Sequence, residues 1–267
     1  MSLCCLGPEG TFSHEMARLL SDEDSDDILL LPTVTDVFRA VTEGRCDGVV
    51  PVENSDAGAV GPVMDGLSRF TVVITGEAYL SIHHHFAATV PAAEITTLYA
   101  HPQAHDQCLK FIDRLGVAVI HTESNSASAA MAAAHPGSGA ITTEAAARMA
   151  GLPLRERDVQ NTGNNTTRFL RISTRRPQTR PETGKCSLII DPATDRPGLL
   201  YELLGVFDRQ GLNLTRIESR PSKRGMGNYI FFVDVEIAPG LTEALEAVGG
   251  IASVKDLGWY GRLGEGV

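Results

Sequence analysis

Residues 173–184 read STRRPQTRPETG. Two prolines, three arginines and no large apolar side chain make this the sharpest change of composition in the chain, and it predicts a linker. The order of elements differs on its two sides, and that difference sets the fold. Upstream, short apolar runs alternate with helical segments. Leu3 to Leu6 reads as a strand, followed by a Gly-Pro turn and a helix from about Ser13. Thr33 or Thr35 can cap a helix in which Val34, Val37, Phe38 and Val41 recur at helical spacing, with Gly44 suited to its C′ position. Residues 48–52, 71–86, 98–100, 117–121 and 139–141 read as strands, and the last three run into helices near Pro102, Ser124 and Thr143. Such alternation predicts a largely parallel sheet with helices on its faces. Ligands of such sheets sit beyond the carboxyl ends of the strands, where free N–H groups at helix N-termini favour anions.

Downstream the order changes to a strand at 186–190, a helix at 198–209, strands at 214–220 and 228–236, a helix at 242–248 and a strand at 254–260. This is βαββαβ, the ferredoxin-like arrangement, which leaves one helical face and one sheet edge free for self-association.

The chain has 267 residues, with 33 acidic and 23 basic side chains and a formal charge of −10. That length suits one large or two modest domains, and the acid excess argues against a polyanion such as nucleic acid as the partner. The first residues carry neither a secretory signal nor an apolar span, so a cytoplasmic protein with no membrane association is expected. Five cysteines without a C-x-x-C pair fit neither a disulfide framework nor a zinc site, and reduced thiols are expected. Cys4 and Cys5, adjacent on a strand, should point to opposite faces.

Five polar clusters fall at strand-to-helix junctions. They are GPEGTFSHEMA (7–17), VPVENSDAGAVGPV (50–63), HPQAHDQC (101–108), ESNSASAA (123–130) and VQNTGNNTTRFL (159–170). Taken singly, most are ordinary helix caps or Asx turns. Together they supply hydroxyls, amides, backbone N–H groups and one embedded arginine, an inventory for binding carboxylates and giving a proton. Phosphate-loop, dinucleotide and H-E-x-x-H motifs are absent, and His83, His84 and His85 alternate faces on a strand, so they cannot share one metal face.

In this order the five clusters resemble the successive signatures of prephenate dehydratases, ending in Asn165-Thr166-Thr167-Arg168-Phe169. After the linker, GLLYELL and LTRIESRP resemble the two phenylalanine-binding motifs of that family's ACT domain. The resemblance implies an α/β fold: a two-lobed catalytic domain like type II periplasmic binding proteins at 1–174, a linker at 175–184 and a ferredoxin-like βαββαβ ACT domain at 185–262. Lobe one would hold about 1–77 and 159–174, and lobe two about 78–158, so that the Thr-Arg-Phe strand returns to the ENS and GPEGT turns. The implied reaction turns prephenate into phenylpyruvate, carbon dioxide and water without cofactor or metal. Thr167 and Arg168 take catalytic roles. Thr167 donates a proton or orients a water, and Arg168 pairs with a carboxylate or locks the strand. Gly10, Thr11, Glu53, Asn54, Ser55, Gln103, Ser124, Ser126, Asn165 and Phe169 would hold substrate. Gly198, Leu199, Leu200, Asn213, Leu214, Glu218, Ser219, Arg220 and Pro221 would hold phenylalanine as an inhibitory effector, within a dimer or tetramer formed through the ACT domain. No helical extension precedes the first motif, so a single activity is expected. The alternatives are arogenate dehydratase, which does the same chemistry on the amino analogue, and a non-catalytic amino-acid sensor.

Overall fold

The computed structural model describes residues 2–21, 28–225 and 227–264. The chain begins with β1 (Leu3–Leu6), α1 (Phe12–Leu19), β2 (Ile28–Leu31), α2 (Val34–Thr42), β3 (Asp47–Asn54), β4 (Gly58–Ala59), α3 (Gly61–Arg69) and β5 (Val73–Ser81). It continues with β6 (His85–Ala88), β7 (Thr97–Ala100), α4 (Pro102–Gln107), α5 (Leu109–Leu115), β8 (Ala118–His121), α6 (Asn125–Ala134), β9 (Ser138–Thr142), α7 (Glu144–Met149) and β10 (Leu154–Glu156). After β11 (Thr166–Ser173) and the linker come β12 (Lys185–Asp191), α8 (Leu199–Arg209), β13 (Leu214–Pro221), β14 (Tyr229–Glu236), α9 (Leu241–Gly249) and β15 (Ser253–Tyr260).

Three sheets result. The first has the order β2-β1-β3-β11-β5, with β4 hooked onto β3. Its β1, β2 and β3 are parallel, and β11 returns antiparallel between β3 and β5. The second, β10-β6-β9-β7-β8, is parallel only across β9, β7 and β8. These two sheets are therefore mixed rather than one largely parallel sheet. The single strand expected at 71–86 is two strands in different sheets, because β5 stays in the first sheet to Ser81 and β6 opens the second at His85. The chain crosses at residues 82–84, a few residues beyond the expected lobe boundary.

Local chemistry accounts for these elements. Thr33, not Thr35, caps α2, its Oγ1 accepting from Asp36 N at 3.1 Å, and Gly44 ends the helix region at φ +72°. Val37, Phe38 and Val41 are fully buried against β3. That contact needs Gly48, where a Cβ would come within 2.8 Å of Ile172 and 2.9 Å of Val41.

The third sheet, β13-β14-β12-β15, is antiparallel throughout, and α8 and α9 pack on one of its faces through Leu199, Leu203, Phe207, Leu241 and Val248. Its other face is not free. Ile189, Ile230, Phe232, Leu257 and Tyr260 join one core with α2, α3, β3 and β11 of the first lobe. The tail after β15 continues the attachment: Glu77 N donates to Gly261 O at 3.1 Å and Leu263 N to Glu77 O at 2.7 Å. The linker is pinned as well, with Arg176 on Asp256 and Arg180 stacked 4.0 Å over the Trp259 ring. No helix among the described residues is long and apolar enough to cross a membrane.

The cysteines depart from expectation. Cys4 and Cys5 do face opposite sides, into different cores, but Cys4 and Cys46 form a disulfide with a Cα–Cα distance of 5.9 Å. Their sequence separation of 42 hides the pairing, and the parallel register Leu3 to Asp47 creates it. Cys5, Cys108 and Cys186 are free and buried. Thiol titration in denaturant without reductant is therefore expected to count these three, and all five after reduction. In the folded protein the three should react slowly, since burial pushes Cys5 and Cys108 up to about 12.

Candidate active site

The site forms on one rung of the first sheet. In the antiparallel β3–β11 ladder Thr167 lies opposite Asn54. The Asn54 Nδ2 group donates to Thr167 Oγ1 at 2.9 Å and to Asn165 Oδ1 at 2.7 Å. Its Oδ1 accepts from Asp56 N at 3.0 Å and Ala57 N at 2.9 Å, so the amide orientation is fixed. The Thr167 hydroxyl thus spends a lone pair on Asn54. Its own proton has no acceptor among the described residues.

Thr167 opens on a cavity of about 260 Å³ that lies between the lobes. Thr11, Asn54, Gln103, Ser124 and Phe169, all expected at the site, line it with Thr167. Two helices point their N-termini at it. Thr11 caps α1, accepting from His14 N at 3.4 Å, and Ser124 caps α6, accepting from Ala127 N at 3.0 Å. No lysine or arginine is among the lining residues, so an anion here would be met by helix termini, amides and hydroxyls.

Six polar lining residues stand outside the expected ligand set: Ser13, His84, His101, Gln107, Asn125 and the carboxylate Glu123, of which His101 could be read from its place before Pro102 either as a site residue or as a structural histidine. His84 Nε2 shares a hydrogen bond of 2.9 Å with Gln107 Oε1, and its ring meets Phe12 edge-on at 5.5 Å. Its Nδ1 and the Asn125 Oδ1 are buried without partners. Burial pushes the His84 pKa down to about 4, so the ring is neutral at physiological pH. A signal for it was available, since the middle residue of a three-histidine strand run faces away from its neighbours. His83 and His85 indeed stack together on the other side, where His83 holds Asp158 at 2.6 Å.

The His84 shift has a stability consequence. An unfolded chain protonates this ring near pH 6.5 and the folded one only near 4, so between those values the unfolded state binds more protons. The contribution is complete above pH 6.5 and is lost as pH falls toward 4, about 3 kcal/mol in all. Melting curves at pH 5 and pH 7 are expected to differ less for His84→Leu than for the wild-type protein.

Several expected ligands stand elsewhere. Strand alternation sends Arg168 and Glu53 to the face opposite Thr167 and Asn54. Arg168 Nε binds Glu77 at 2.7 Å, Nη1 binds Asp234 at 2.6 Å and Nη2 donates to the Tyr260 hydroxyl at 2.9 Å. Arg168 is therefore held among these partners and is not among the residues that line the cavity. Glu53 Oε2 faces Arg216 Nε at 3.6 Å. Gly10 and Ser126 close the lobes on each other instead of lining the cavity: Ser126 Oγ donates to Glu9 O and Thr143 Oγ1 to Gly10 O, both at 2.6 Å. Gly10 has φ +81°, and a Cβ there would lie 3.1 Å from Ala146 Cα. Ser55 splices β3 to β11, its Oγ accepting from Thr166 N at 3.0 Å, and Asn165 is buried behind Asn54. A larger open cleft of about 920 Å³ lies beyond Phe12, but polar side chains already paired to each other, Arg157 with Glu144 and His83 with Asp158, rim it.

The expected effector residues divide between two faces of the third sheet. Gly198, at φ +82°, starts α8 with Leu199 and Leu200 on the helical face. Ser219 pairs with Phe231 on that face, whereas Glu218 and Arg220 lie opposite Phe232 and Ile230, which face lobe one. Arg220 and Pro221 line a cavity of about 570 Å³ against α3, where Arg220 meets Asp65 at 3.3 Å. Asn213 O accepts from Glu236 N at 2.9 Å, and Leu214 packs against the α8–α9 core.

The sequence model of the prephenate dehydratase family matches residues 3–177, and that of the ACT domain matches 189–252. A bifunctional chorismate mutase/prephenate dehydratase of Stutzerimonas stutzeri is 38% identical over 266 residues, 96% of this chain and 72% of that protein. A prephenate dehydratase of Bacillus subtilis is 32% identical, covering 97% and 98% of the two chains. The solved structure of a prephenate dehydratase from Arthrobacter aurescens in complex with L-Phe superposes with a TM-score of 0.87 at 28% identity, over 98% of this chain and 90% of that one.

Proposed function

Because the chain belongs to the prephenate dehydratase family, we propose that its inter-lobe cavity turns prephenate into phenylpyruvate, carbon dioxide and water, with Thr167 as proton donor. The chain is a carbon–oxygen lyase. Prephenate carries a ring hydroxyl opposite a quaternary carbon that bears a carboxylate and a pyruvyl group. Breaking the carbon–carbon bond to the carboxylate releases carbon dioxide and sends its electron pair into the ring. The opposite carbon–oxygen bond breaks in turn, and the ring becomes aromatic. Hydroxide is a poor leaving group, so a proton delivered to that oxygen is the help a protein can give, about 10²- to 10⁴-fold. One proton is consumed per turnover, and the donor recovers it from water.

The observation that carries this reading is the Thr167 hydroxyl, which borders the cavity, accepts from a fixed Asn54 amide and has no acceptor for its own proton among the described residues. The α1 and α6 N-termini suit the two substrate carboxylates. Incubation of the purified protein with prephenate should yield phenylpyruvate, read by its absorbance in alkali, and a parallel incubation with arogenate tests the amino analogue. Binding without turnover of either would favour the sensor.

The C-terminal ACT domain suits phenylalanine as an inhibitor, as the L-Phe complex of the Arthrobacter relative supports. β13 pairs only with β14 among the described strands, and large apolar side chains are exposed on this domain, Leu200 and Tyr201 on α8, Ile217 on β13 and Tyr229 on β14, which suits self-association. Calorimetry with phenylalanine and sedimentation with and without it test both readings.

A further inference from the structure

Behind the Thr167–Asn54 rung stands a second rung, Arg168 opposite Glu53, facing away from the cavity. The regulatory sheet presents a matching rung, Arg216 opposite Asp234. The charges cross: Arg168 Nη1 lies 2.6 Å from Asp234 Oδ2, and Glu53 Oε2 lies 3.6 Å from Arg216 Nε and 3.7 Å from Arg168 Nη1. Glu77 adds a third carboxylate on Arg168 at 2.7 Å, and Lys185 balances it at 3.0 Å. Asp234 is held further by Ser187 Oγ at 2.5 Å, and that hydroxyl in turn meets the Tyr260 hydroxyl. Three cations thus face three anions. The side chains of Arg168, Glu77, Asp234 and Arg216 are only 7–8% exposed, so water cannot readily replace a partner lost among Arg168, Glu77 and Asp234, whereas Glu53, the partner of Arg216, is 40% exposed.

The geometry has a mechanical meaning. Arg168 follows Thr167 directly on an extended strand, and its guanidinium is held at three points by Glu77, Asp234 and Tyr260, so movement of those partners bears on the strand beside Thr167. Arg216 sits on β13, the strand that ends in Glu218-Ser219-Arg220-Pro221. A shift of the regulatory sheet against lobe one must either break buried ion pairs or carry Arg168 with it.

We propose that Arg168 is a positioning residue through which the C-terminal domain sets Thr167 against Asn54, and that the Arg168–Glu53–Arg216–Asp234 cluster transmits effector binding to the cavity. The transmission rests on the reading that this domain binds phenylalanine. The positioning of Thr167 does not.

The test uses the full chain. Arg168→Lys keeps the charge but cannot reach Glu77 and Asp234 as a planar fork. It is expected to lower kcat at least about 10-fold, with KM within about 3-fold, as for an interaction felt in the transition state. Its melting temperature should stay within a few degrees of wild type, and if lysine impairs folding, the isosteric Asp234→Asn takes its place. Arg216→Gln touches no cavity residue. It is expected to bind phenylalanine by calorimetry within about 3-fold of wild type, while the inhibition at saturation falls at least about 5-fold. A wild-type kcat in Arg168→Lys overturns the positioning role, and wild-type inhibition in Arg216→Gln overturns the transmission. Failure of the unaltered protein to bind phenylalanine sinks the effector reading instead, and the kcat of Arg168→Lys still decides the positioning role.

Discussion

Thr167→Ala is expected to lower kcat by at least about 100-fold while KM and melting temperature change little. The reasoning starts from the hydrogen bonds. Thr167 is 8% exposed and its Oγ1 accepts from Asn54 Nδ2 at 2.9 Å. Alanine removes that acceptor, but Asn54 keeps its bond to Asn165 and the two backbone donors on its Oδ1, so the rung survives. Stability therefore changes by roughly one hydrogen bond, about 1 kcal/mol. The departing hydroxide loses its proton source, an effect confined to the transition state. Thr167→Val keeps the shape without the hydroxyl and should lose as much as alanine. Thr167→Ser keeps the hydroxyl and should retain much of the activity. Steady-state kinetics on prephenate across the three variants checks this, and near-normal turnover in both alanine and valine would mean that another group, such as a water held by the cavity amides, supplies the proton.

The parts of this site that were legible in the sequence are those set by local rules. Thr11, Ser124 and Thr143 cap the helices that they precede, and the return of β11 to β3 follows from the need to join the ENS and TRF segments. Gln107 was also within reach: it lies four residues after Gln103 on α4, so both occupy one helical face, and both line the cavity. The side of Arg168 was half legible. Alternation along β11 places it opposite Thr167 and Phe169, but its partners come from β5 and β14, 91 and 66 residues away in sequence. They were hidden because nothing local in the sequence says that Phe232, Leu257 and Tyr260, on the sheet face away from α8 and α9, complete the core of another lobe. The Cys4–Cys46 bond was hidden for the same reason, since parallel register is a tertiary property.

Removing the Arg168 charge altogether is expected to produce the largest loss of stability. In Arg168→Ala the carboxylates of Glu77 and Asp234, 8% and 7% exposed, stay buried without their guanidinium. Breaking a buried pair on one side typically costs about 3–5 kcal/mol, because a desolvated charge is left uncompensated. For a chain of this size that corresponds to a fall in melting temperature of roughly 10 °C. The two carboxylates should not suffer equally. Glu77 retains Lys185 at 3.0 Å, whereas Asp234 retains only neutral partners within hydrogen-bonding reach, Ser187 Oγ among them. Neutralising Asp234 in the same background should therefore restore more stability than neutralising Glu77. Thermal unfolding of Arg168→Ala, Arg168→Ala/Asp234→Asn and Arg168→Ala/Glu77→Gln measures this order. If Arg168→Ala melts within a degree of wild type, water reaches the cluster and the charges are not locked between the lobe and the regulatory sheet. If the Glu77 rescue exceeds the Asp234 rescue, the main load on Arg168 lies within the catalytic lobe, and the link between domains runs through the shared apolar core instead.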